Sequence, residues 1–118
     1  MADSFFQKSS LKQLRRLKNG SPNAGETVAA MNAFFAKAVS DGALPAKTKE
    51  LIAVAVAHST RCAYCIDHHV KAAAKAGATE AEINESILVA IALNAGAAFT
   101  HAGMALDALD EVAAEVKK

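Results

Sequence analysis

Cys62 and Cys65 enclose two residues, His69 lies four beyond the second cysteine, and Glu50 lies twelve before the first. Thiols at i and i+3 of a helical turn share a face at roughly 5–6 Å, a separation that a disulfide spans with little distortion. Such a pair can close and reopen, which is two-electron chemistry. An ordinary thiol, with a pKa of about 8.5, is only a few per cent ionised at pH 7, and the free N–H groups and positive dipole at a helix start stabilise the anion. Cys62, nearer that start, is expected to be the more acidic. His69 is one turn from Cys65 but two turns, about 10 Å, from Cys62, so its ring addresses Cys65 first.

Glu50 comes into range if the helices flanking residues 60–61 fold back as an antiparallel hairpin. It then lies about ten residues before the turn and His69 about nine after it, so their heights nearly match at about 1.5 Å per residue. A carboxylate facing an imidazole fixes its tautomer and raises its basicity. Glu50, Cys62, Cys65 and His69 are therefore the expected catalytic group of a thiol redox site, with no cofactor and no metal. A rival reading makes Cys62, Cys65 and His69, with Glu50 or His68, a zinc site, although no second Cys-x-x-Cys or paired histidine motif accompanies them. Another is a non-redox enzyme using the same pocket. His58 and His101 are expected to be satisfied within their own helices, and His68, about 100° round the helix from His69, to be exposed. Tyr64, between the cysteines, either tunes the site by its hydroxyl or packs against another subunit.

The elements that must position these groups are helical. Alanine dominates from residue 24 onward and no strand-like alternation persists, so the fold class is all-α, a single-domain bundle of about six helices over residues 1–118. Helices are expected at about 3–18, 25–40, 45–60, 62–77 and 80–94, with a last one beyond Gly96, which breaks or kinks the path. Asn19-Gly20-Ser21-Pro22-Asn23 and Asp41-Gly42 are turns, Pro45 suits a first turn, and Gly77 suits a helix end. Thr79 with Glu82 is a capping-box pattern, and Ile83, Ile87, Ala90, Ile91 and Asn94 follow helical spacing.

Composition narrows the function. The formal charge is +1, and the one basic cluster, Lys12, Arg15, Arg16 and Lys18, alternates with Leu11, Leu14 and Leu17 as in an ordinary amphipathic helix. No nucleic-acid partner is expected. The longest strongly apolar stretch, 87–99, is short of the ~18–20 residues a bilayer span needs, and no signal-peptide order precedes it, so no membrane partner and a cytoplasmic location are expected. In that reducing compartment two cysteines are seldom a staple. Apolar residues make up 53% of the chain, more than one small core needs, which points to an oligomer with Phe5 and Phe6 as candidate contacts.

Glu50, then Cys62-Ala63-Tyr64-Cys65, then Ile66-Asp67-His68-His69 resembles the signature of the alkylhydroperoxidase D-like proteins within the carboxymuconolactone decarboxylase family. The flanks agree: Lys47-Thr48-Lys49-Glu50-Leu51-Ile52-Ala53 before, Ala73-Ala74-Lys75-Ala76-Gly77-Ala78-Thr79 after. The resemblance covers about residues 24–110. It implies a helical domain assembling into trimers or hexamers, and a thiol-dependent peroxidase or disulfide oxidoreductase. Its substrate would be a small hydroperoxide and its reductant a dithiol or thiol protein. Tyr64 stands where the best-known members carry a histidine.

Overall fold

The computed structural model describes residues 8–118, and the expected contacts Phe5 and Phe6 lie outside them. A 3-10 segment, Lys8–Gln13, leads into α1 (Leu14–Lys18), followed by α2 (Ala24–Ala38), α3 (Ala46–Thr60), α4 (Ala63–Lys75) and α5 (Glu80–Val116). There is no strand among the described residues, and the class is all-α.

α3 and α4 form the hairpin on which the site depends. α3 starts after Pro45, which sits at the N-cap rather than inside the first turn, and the Asp41 carboxylate accepts the Ala46 N–H at 2.7 Å. It ends at Arg61, left-handed at φ 57°, where the Cys62 N–H closes onto the Ala57 carbonyl at 3.0 Å. α4 ends in a complete Schellman closure: Gly77 at φ 98°, its N–H on the Ala74 carbonyl, and the Ala78 N–H on that of Ala73. A Cβ on Gly77 would meet nothing within 4 Å, so only the backbone conformation forbids it. Gly77→Ala is expected to cost about 1–2 kcal/mol, read as a lower thermal midpoint at fixed protein concentration; an unchanged midpoint would contradict the left-handed closure.

The capping box at the start of α5 is present in both halves: Thr79 Oγ1 accepts the Glu82 N–H at 3.1 Å, and Glu82 accepts the Thr79 N–H at 3.0 Å. That Thr79 N–H bond first, then the Lys47 ammonium at 2.9 Å, holds the Glu82 carboxyl below its usual range and ties α3 to α5. Beyond this start the helix departs from expectation. It runs unbroken through Gly96 for 37 residues, so the described residues hold five α-helices where about six were expected. One glycine costs only about 1 kcal/mol relative to alanine, too little to break a helix flanked by Ala95, Ala97 and Ala98. Of the expected first helix, the described part is 3-10 over Lys8–Gln13 and α-helical only over Leu14–Lys18, and its residues 3–7 lie outside the described ones.

The core is small. Among the described residues only Glu50, Val54, Ala57, Ala73 and Ala90 are buried. Ile83, Ser86 and Ile87 are half-buried, whereas Ile91 and Asn94, expected on the same covered face, are exposed, as is every residue after them. The radius of gyration is 20.3 Å, against about 13.5 Å for a compact chain of this length. The accessible surface is 9209 Å², against roughly 6,100 Å² for a folded monomer of this mass. Continuity also makes α5 long and apolar enough, by length and composition, to cross a membrane, which the 13-residue stretch alone was not. Its middle nevertheless carries Asn94, Thr100 and His101, polar groups expensive to place in lipid.

Candidate functional site

Cys62 is the N-cap of α4. Its backbone is extended, and its sulfur accepts the Cys65 N–H at 3.2 Å. A sulfur at a cap receives the orphan donors of the first turn, the environment that favours a thiolate once the pair is reduced. Cys65 lies one turn in, its Cα 5.2 Å from that of Cys62, and the two are joined as a disulfide. Both residues are half-buried.

The hairpin brings Glu50 and His69 together from 19 positions apart: His69 Nδ1–H donates to Glu50 Oε2 at 2.7 Å. The side chains are 10% and 24% exposed, so little water competes for the contact. With Nδ1 engaged, Nε2 is left as the proton-accepting nitrogen, on the α4 face that also carries Cys65.

That face lines an open cavity of about 730 Å³. α4 contributes Tyr64, Cys65, His68 and His69, α3 contributes Ala53, and α2 contributes an apolar wall of Phe35, Ala36 and Val39 with Asn32 at its edge; Leu11 adds to it from the N-terminal segment. Cys62 is not part of this lining. The cavity therefore meets one cysteine of the pair, the one beside the imidazole.

His58 and His101 donate to the carbonyls of Val54 and Ala97, at 2.8 and 2.6 Å, as satisfied helix histidines should. His68 is exposed, yet it lines the cavity and packs edge-on against His69 with ring centres 4.8 Å apart, a placement its spacing from Cys65 could have suggested. The α2 wall carried no sequence signal beyond the neighbouring Phe34 and Phe35. Among the described residues no three His, Cys, Asp or Glu side chains converge to hold a metal, so the zinc reading gains no support.

An all-helical chain with a Cys-x-x-Cys at a helix start and a Glu–His pair beside it defines the class. Consistent with that, the chain matches the carboxymuconolactone decarboxylase family over residues 25–108, and it belongs to that family. It is 56% identical over 73 residues to uncharacterized protein 4 in the cox locus of Paracoccus denitrificans, a match covering 62% of this chain and 66% of that protein, just under two thirds of its length. Uncharacterized proteins of Cupriavidus necator and Haemophilus influenzae are 38% and 53% identical, over 70% and 67% of this chain and 75% and 70% of their own.

Proposed function

We propose that the chain is a thiol-dependent peroxidase or disulfide oxidoreductase of the alkylhydroperoxidase type, in which Cys62, Cys65, His69 and Glu50 are the catalytic residues. The observation that carries the reading is the α4 face on which Cys65 and His69 together line the cavity, with His69 bonded to Glu50 of α3. In the reduced protein His69 takes the proton of the Cys65 thiol. The thiolate attacks one oxygen of a hydroperoxide, the O–O bond breaks, and the departing alkoxide takes the proton back as an alcohol. Cys65 is left as a sulfenic acid. Cys62 condenses with it, releasing water and forming the disulfide, and an external dithiol or thiol protein supplies two electrons and two protons to reopen it. Antioxidant work in the cytoplasm suits this cycle, with no part for nucleic acid or a membrane. Turnover of several hydroperoxides, assayed in parallel with dihydrolipoyl, thioredoxin-like and glutathione reductants, tests the proposal. Activity that survives replacement of both cysteines would move the chain to the non-redox members of its family.

The working form on this proposal is a homotrimer or homohexamer. The surface excess of roughly 3,000 Å² over a folded monomer is several times the ~800 Å² that one partner gives to a standard interface. Phe99, Met104, Leu106, Leu109 and Val112 supply apolar side chains along the exposed half of α5. Light scattering of detergent-free protein at micromolar concentration should give a multiple of 12.2 kDa. A monodisperse mass of one chain would remove the idea, and recovery only in detergent would favour a membrane for α5.

A further inference from the structure

The segment Lys8–Gln13 runs past the cavity mouth, and Leu11 forms part of the lining. One residue earlier, the hydroxyls of Ser10 and Tyr64 share a hydrogen bond of 2.9 Å across 54 positions of sequence. Residues 10–20 are all exposed, and five residues of α1 are too few to be stable as an isolated helix. A segment so short and so little buried needs a tie to α4 if it is to keep a wall in place, and Tyr64 provides one. A phenylalanine would fill the same space without it.

We propose that Tyr64 is a specificity-determining positioning residue: its hydroxyl holds the N-terminal segment so that Leu11 walls the cavity beside Cys65, favouring bulky apolar hydroperoxides over hydrogen peroxide. This rests on the peroxidase reading for its substrate, though not for its geometry. Hydrogen peroxide is too small to touch the wall, whereas an aryl or long alkyl group must lie against it to bring its O–O bond to the sulfur. A neutral hydrogen bond in such a setting is worth about 2-fold to 10-fold in an equilibrium.

The test uses the full chain as wild type, Tyr64→Phe, Ser10→Ala and the double variant, with cumene hydroperoxide and hydrogen peroxide as substrates. In each single variant the ratio of kcat/KM for cumene hydroperoxide to that for hydrogen peroxide should fall about 2-fold to 10-fold, through KM rather than kcat. The double variant should fall by less than the product of the two single losses, because both changes remove the Ser10–Tyr64 bond. Leu11→Ala should reproduce the loss. Additive losses, or a loss carried by kcat, would overturn the proposal. If the wild type turns over neither substrate, the peroxidase reading fails by itself, and the tie is then read in reduced Cys62→Ser protein carrying the same changes. There the rate of Cys65 alkylation by N-benzylmaleimide relative to iodoacetamide should fall by the same factor, again without additivity. Equal ratios in all four proteins would end the proposal.

Discussion

Cys62→Ser and Cys65→Ser are each expected to abolish multiple turnovers and to fail in different ways. Neither variant can close the disulfide, so neither can present the external reductant with its substrate. Cys65→Ser keeps the sulfur at the α4 cap, where first-turn N–H groups stabilise a thiolate, outside the cavity lining. That thiol should alkylate fast near neutral pH and exchange with a small linear disulfide, releasing one thiol and leaving a stable mixed disulfide. Cys62→Ser keeps the sulfur that faces the cavity beside His69. It should react slowly with polar alkylating reagents yet gain one oxygen atom from one equivalent of hydroperoxide and stop there. Alkylation rate against pH for each variant, followed by intact-mass measurement after one equivalent of oxidant, separates the two roles. Reversed reactivity would exchange them, and full turnover by either variant would end the two-cysteine mechanism.

The contrast between what the sequence predicted well and badly follows from the range of the forces involved. The Glu50–His69 pairing was legible because it needs only a turn position and a helical rise, and the turn at Arg61 is local chemistry: Ser59-Thr60-Arg61 interrupts an apolar run, and Cys62 closes back on Ala57. The capping box at Thr79 and the closure at Gly77 were legible for the same reason. The cavity was not, because its far wall is the Phe35–Val39 stretch of α2, and which face of α2 meets α4 depends on side-chain shape rather than on periodicity. Gly96 suggests a break or kink because glycine weakens a helix, yet the alanines around it favour the helix more than one glycine disfavours it. The 53% apolar composition led to the expectation of a surface covered by other subunits. It could not tell whether this chain or another would cover it, and among the described residues nothing does.

Glu50→Gln is expected to preserve the fold and slow the reaction by about 10²-fold to 10⁴-fold, the usual worth of general acid–base help. The amide has nearly the shape of the carboxylate, and its oxygen can still accept the His69 Nδ1–H, so the tautomer that presents Nε2 to Cys65 survives. Only the charge is withdrawn. Without it the imidazolium formed when His69 takes the Cys65 proton loses the partner that stabilises it. At 10% side-chain exposure, solvent can restore little of that stabilisation. Two further variants separate charge from packing. Glu50→Asp keeps the charge but is one methylene too short to hold the 2.7 Å contact from the same backbone, and should recover part of the rate. His69→Gln should lose as much as Glu50→Gln, and the two together little more, since the pair acts as a unit. The measurement is the rate constant for reduced protein with hydroperoxide across pH 6–9, alongside the alkylation rate of Cys65 in the Cys62→Ser background. An unchanged rate constant for Glu50→Gln over that range would refute the relay, however well the hairpin brings its members together.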